Sequence, residues 1–82
     1  MDKLHIDLLT LLRSCAQYGL DATLLLQDAR QARHRSLSLP ELETALRDLA
    51  DKSYVTPYTS ALGAQRWRIT ALGESALKEA GL

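Results

Sequence analysis

The sequence predicts a mainly α domain that carries one small antiparallel β-hairpin, and three observations predict it. Leucine and alanine recur at helical spacing in four separate stretches. Phe is absent and only 5% of residues are aromatic, so the core must use the side chains that helices favour. Between the third and fourth stretches the period shortens to two, in "YVTPY" and "QRWRIT", around a turn-forming "TSALGA". A length of 82 residues, 46% of them hydrophobic, suits one domain near the lower size limit for folding without disulfides or metals.

The first helix is expected over about 3–18, with Leu4, Leu8, Leu11, Leu12, Cys15 and Tyr18 on one face and Gly19 as its stop. Cys15 is the only cysteine and lies in that stripe, which predicts a buried, inert thiol. A lone cysteine also excludes an internal disulfide and a cysteine-based zinc site. Ile6 falls on the opposite, exposed side. Asp21 is positioned to cap a second helix over about 21–34, whose inward stripe is Ala22, Leu25, Leu26, Ala29 and Ala32. Its last turn and the chain beyond carry Arg30, Arg33, His34 and Arg35. Such cations either complement the negative carboxyl end of the helix or form a basic rim.

"SLSLPELETALRDLADKSYV" holds the clearest helix start. Ser38 is the N-cap, Pro40 sits in the first turn, and Ser38 with Glu41 has the spacing of a capping box. Leu39, Leu42, Ala45, Leu46, Leu49 and Ala50 line one face of this third helix, over about 39–52. Strands are expected at about 54–58 and 65–69, joined through Gly63. Pro57 confines the first strand to a sheet edge or to an early ending. Alternation turns Trp67 and Ile69 inward and leaves Arg66 and Arg68 in water, with Tyr54 and Tyr58 at the rim of the hairpin. Thr70 caps a last helix over about 71–80, with Leu72, Ala76 and Ala80 inward.

The totals exclude several classes. Ten basic and ten acidic side chains give zero formal charge, so the chain lacks the basic excess of a simple nucleic-acid binder. No apolar run approaches the roughly 18 residues that span a bilayer, and the amino terminus has no cleavage-like small-residue site. The expectation is a cytoplasmic protein with no membrane contact. His5 and His34 have no metal-ligand spacing. There is no nucleophile–base pairing and no glycine-rich phosphate loop, so no enzymatic activity, cofactor or metal is expected.

Three helices, a hairpin and a closing helix is the element order of a winged helix–turn–helix domain. "ELETALRDLADKSYVTPY" resembles that family's third helix running into its first wing strand. "RWRITALGESAL" is similar to its second wing strand and terminal helix, through Trp67, Arg68, Ile69, Thr70 and Gly73. The resemblance covers about residues 4–80 and is closest to small bacterial regulators of the MarR and PadR types. It implies binding of double-stranded DNA, with the third helix in the major groove and the hairpin on backbone or minor groove. Under it the contact residues are Arg33, Arg35, Ser38, Thr44, Arg47, Lys52, Arg66 and Arg68. It also implies a homodimer, for which Ile6, Leu24, Leu77 and Leu82 are the apolar contact candidates.

The residues themselves divide. The exposed face of the third helix sets Glu41, Glu43, Asp48 and Asp51 against Arg47 and Lys52, and carboxylates facing phosphates oppose the counterion release that drives association. Glu43 and Asp51 lie one turn either side of Arg47, as pairs worth roughly 0.2–0.5 kcal/mol each. The flanks are basic: no acid occurs from Lys52 through Thr70, or from Arg30 through Arg35. Two readings stay open, duplex DNA gripped at basic flanks and a protein-docking module that presents an acidic helix. The hairpin arginines fit the first as phosphate contacts. Otherwise they are the wet side of an amphipathic strand that guards an edge.

Overall fold

The computed structural model describes residues 3–15 and 19–82. Four helices and a two-stranded antiparallel hairpin follow in the order α1 (Lys3–Ser14), α2 (Ala22–Ala32), α3 (Leu39–Asp51), β1 (Val55–Thr59), β2 (Gln65–Ile69) and α4 (Ala71–Glu79). The chain is therefore mainly helical with one small sheet.

Helix starts are set by local chemistry. Asp21, Ser38 and Thr70 are all extended N-caps whose side chains accept a backbone N–H of the first turn. The Ser38–Glu41 box closes fully, because the Glu41 carboxylate also accepts from the Ser38 backbone N–H at 3.1 Å. α3 ends on an αL residue: Ser53 has φ 65°, with bonds from Ser53 N–H to Ala50 and from Tyr54 N–H to Leu49.

α1 runs through the middle of the molecule and meets α2, α3, β2 and α4. Being covered on several sides, it buries a wider arc than a single amphipathic stripe would. Leu8, Leu9 and Leu12 are fully buried, and Ile6 packs half-buried against the core. Ile6 is thus not the exposed apolar residue its position in the helical pattern predicts. Cys15 lies just after the helix and is half-exposed, because α1 ends at Ser14. Tyr18 lies outside the described residues. Leu25 and Ala29 of α2 and Leu42, Ala45, Leu46 and Leu49 of α3 complete the helical core, while Ala32 and Leu39 are exposed.

The hairpin pairs Val55 with Ile69 and Pro57 with Trp67. A further partner lies on the other edge of β2: Trp67 N–H donates to Leu20 at 2.8 Å, and Leu20 N–H donates to Trp67 at 3.0 Å. β2 is accordingly central and β1 is the free edge. Since Trp67 spends its backbone groups on Leu20, Pro57 opposite it stands where a strand N–H would point outward, so the imino nitrogen costs no ladder bond.

α4 is rotated from the face that leucine spacing suggests. Gly73, Ala76 and Leu77 are buried, while Leu72 is 53% exposed and Ala80 is exposed. The cause is Gly73, whose missing side chain lets α4 approach the Tyr54 carbonyl and Ile69 more closely than any Cβ would permit. Leu77 is consequently fully buried and is withdrawn from the dimer candidates. No described helix is long and apolar enough to cross a membrane.

Candidate nucleic-acid interface

The exposed face of α3 and the inward face of β2 border one cleft of about 230 Å³. Its walls are Glu43 and Arg47 from α3, Gln65 and Trp67 from β2, and Ala22 from the first turn of α2. Ser38 and Pro40 start α3 at the far end of the turn from α2, and the Leu42–Leu46–Leu49 stripe seats it. That seating leaves Glu43, Thr44, Arg47 and Asp48 pointing outward. Trp67 is only half-buried: it packs on the core with one part and lines the cleft with another. The indole is turned away from the arginines, as alternation requires, without being hidden.

Arg47 forms no ion pair or hydrogen bond among the described residues. The flanking Glu43 and Asp51 therefore do not hold its guanidinium, which stands exposed beside the cleft. Thr44 is exposed too, with its hydroxyl donating to the Pro40 carbonyl at 3.0 Å. Ser38 is largely committed to the cap. Its hydroxyl accepts from Glu41 N–H at 3.3 Å and donates to the Glu41 carboxylate at 2.8 Å. Those bonds hold the Glu41 carboxyl below its ordinary value of 4.5, the Ser38 side chain being the larger cause and its backbone N–H the smaller.

The basic cluster after α2 is partly consumed inside the protein. Arg30 donates to the Leu37 carbonyl at 2.8 Å. Arg33 and His34 both converge on the Asp7 carboxylate, at 3.3 and 2.8 Å, so this cluster also ties the α2–α3 turn to α1. Arg33 nevertheless keeps a 55% exposed side chain, and Arg35 is exposed with no bonded partner among the described residues. These two lie on a second depression of about 290 Å³ with Ser36 and Glu41. Aspartate at position 7 was not foreseeable as their partner, because the pairing joins residues far apart in the chain.

Arg66 and Arg68 project from the other face of the sheet, with Thr56 and Tyr58 opposite them in register. Arg68 stacks on the Tyr58 ring, its guanidinium carbon 4.5 Å from the centroid. Tyr58 in turn lies across the sheet toward Gly19. The hairpin arginines thus share a surface with each other but not with Arg47, which faces the opposite side of β2. Lys52 is exposed at the α3 carboxyl end. Of the apolar dimer candidates, Leu24 and Leu82 are 46% and 55% exposed.

Comparison of the chain with protein-family models, with curated proteins and with solved structures returns no match.

Proposed function

We propose that this chain is a winged-helix protein that binds double-stranded DNA, as a transcriptional regulator or accessory factor. The observation that carries the reading is the shared cleft. α3 and the hairpin adjoin through Arg47, Glu43, Gln65 and Trp67, so a duplex seated along α3 meets the hairpin as well.

Arg47 is the reader of base edges in this reading, since its fork is unpaired and suits the two acceptors of guanine. Arg33 and Arg35 hold phosphates on one flank and Lys52 on the other, and the hairpin arginines, on the face of β2 away from Arg47, hold phosphates on the far side of the hairpin. Ser38 and Thr44 act as positioning residues through the geometry of the first turns of α3. A homodimer that reads two half-sites would use Leu24 and Leu82.

One observation favours a different reading. Glu43, Asp48 and Asp51 are all exposed on α3, and they suit a basic protein surface better than a phosphate backbone. Titration of a mixed-sequence labelled duplex at two salt concentrations separates the readings. Duplex binding that weakens steeply with salt, and is lost when Arg66 and Arg68 are both changed to Glu, supports DNA binding. No binding at low salt favours protein docking.

A further inference from the structure

We propose that Leu62 is an apolar wedge, which enters the minor groove of duplex DNA and unstacks a flexible pyrimidine–purine step. The proposal rests on the duplex-binding reading and assigns a role to a residue that reading leaves unused.

Leu62 is 94% exposed, against 55% for the next most exposed leucine, Leu82. It stands at the tip of the β1–β2 hairpin, in a turn closed by its own hydrogen bonds. Ser60 N–H donates to Ala64 at 2.8 Å, Gly63 N–H donates to Ser60 at 2.9 Å, and Ala64 N–H donates to the Ser60 hydroxyl at 3.2 Å. The tip is therefore shaped before any partner arrives, and insertion demands little ordering of the loop.

The neighbours on the tip are Ser60, Ala61, Gly63 and Ala64, so Leu62 is its one bulky side chain. A single isolated leucine is a poor docking patch for a protein surface, which needs a contiguous apolar area. It is a good wedge, because the minor groove is only about 6 Å wide and admits a narrow tip. Charge agrees with this occupant. No carboxylate lies between Lys52 and Thr70, while Arg66 and Arg68 on one face of the hairpin supply cations to the phosphates beside it. Inserted between base pairs, the leucine leaves water, and that gain offsets the lost stacking. TA and CA steps unstack most readily, so the wedge confers a preference for them.

The test uses the full chain and a duplex that carries 2-aminopurine beside one central TA step, with dyes at both ends. Binding is expected to raise 2-aminopurine fluorescence severalfold and to bring the ends closer. Leu62→Ala abolishes both signals and weakens affinity roughly tenfold. Its circular dichroism and urea midpoint stay unchanged, since the side chain supports no core contact. Leu62→Phe retains unstacking, and replacing the TA step by AA weakens binding to the intact chain. If the intact chain binds with strong salt dependence but leaves 2-aminopurine dark, the wedge is overturned and duplex binding survives. The same conclusion follows if Leu62→Ala unstacks as well as the intact chain does. If the intact chain binds no duplex at low salt, the wedge and the reading beneath it are overturned together.

Discussion

Trp67 and Leu20 exchange backbone hydrogen bonds in both directions, at 2.8 and 3.0 Å, and so fasten the hairpin to the chain just before α2. The clasp adds backbone bonds to the packing of β2 on α1 and of β1 on α3, and so fixes the hairpin wall of the cleft beside Arg47.

Gly19 makes the clasp possible. Its φ is +69°, and a Cβ there would lie 2.6 Å from the Trp67 carbonyl oxygen and 2.9 Å from the Tyr58 ring. Gly19→Ala is expected to destabilise the fold by about 2–4 kcal/mol, since left-handed strain and a backbone clash add. Urea unfolding measures the loss. A midpoint equal to that of the intact chain would show that the Leu20–Trp67 pairing does not form.

Gly73 is the corresponding close approach in α4. A methyl group there would overlap the Tyr54 carbonyl, whose oxygen already accepts from Thr70 N–H at 3.0 Å, and would lie 2.8 Å from Ile69 Cγ1. Alanine is ordinarily the better helix former, by about 1 kcal/mol. Here Gly73→Ala is expected to destabilise by roughly 1–3 kcal/mol, because backbone cannot move aside as a side-chain tip can. Denaturant unfolding of the two chains decides the sign.

Ser53 offers a gain. It occupies the left-handed position after α3 with φ 65°, and its interactions there run through backbone groups that glycine also has, including the carbonyl that accepts the Thr70 hydroxyl at 2.6 Å. Ser53→Gly is expected to stabilise by roughly 0.5–1 kcal/mol, relief of strain outweighing the greater freedom of the unfolded glycine. Thermal and urea midpoints should both rise.

The Ser38–Glu41 box gives a pH signature. Because the folded-state value of Glu41 lies below its ordinary 4.5, its contribution is complete well above 4.5 and is lost as the pH falls below that value through the folded one. Glu41→Gln should therefore show a shallower decline of stability with acid over that window. Ser38→Ala should cost about 1 kcal/mol at neutral pH. Matching acid profiles for the intact chain and Glu41→Gln would mean that the carboxylate does not engage the cap.

Features set by neighbours in sequence were legible in advance. The Ser38 and Thr70 caps and the α3 core stripe from Leu42 onward, though not the exposed Leu39, follow from residues within one or two turns of each other, and Pro57 restricts its strand to an edge or an early ending. Features set by tertiary contact were not. Leu20 pairing with Trp67, and Arg33 and His34 meeting on Asp7, join segments far apart along the chain, and no local pattern marks them. The buried face of α4 departs from the leucine pattern for a subtler reason. A hydrophobic pattern weighs Leu72 heavily and Gly73 lightly, yet the tightest packing belongs to the residue with no side chain. The candidate site was legible as a set of exposed residues on α3 and the hairpin. Its division between the two faces of β2 needed coordinates, because sequence alternation separates Arg68 from Trp67 without saying which face adjoins Arg47.

The most direct measurement is the equilibrium affinity of the chain for a labelled duplex as salt is raised, for the intact protein and for Arg47→Ala. Phosphate contacts from about five cations predict a log–log slope of roughly −4 to −5. Loss of the Arg47 fork should weaken binding to a preferred sequence by about 1–3 kcal/mol while leaving that slope nearly unchanged. Affinity that is absent at low salt, or indifferent to salt and to Arg47, would contradict a duplex seated between α3 and the hairpin.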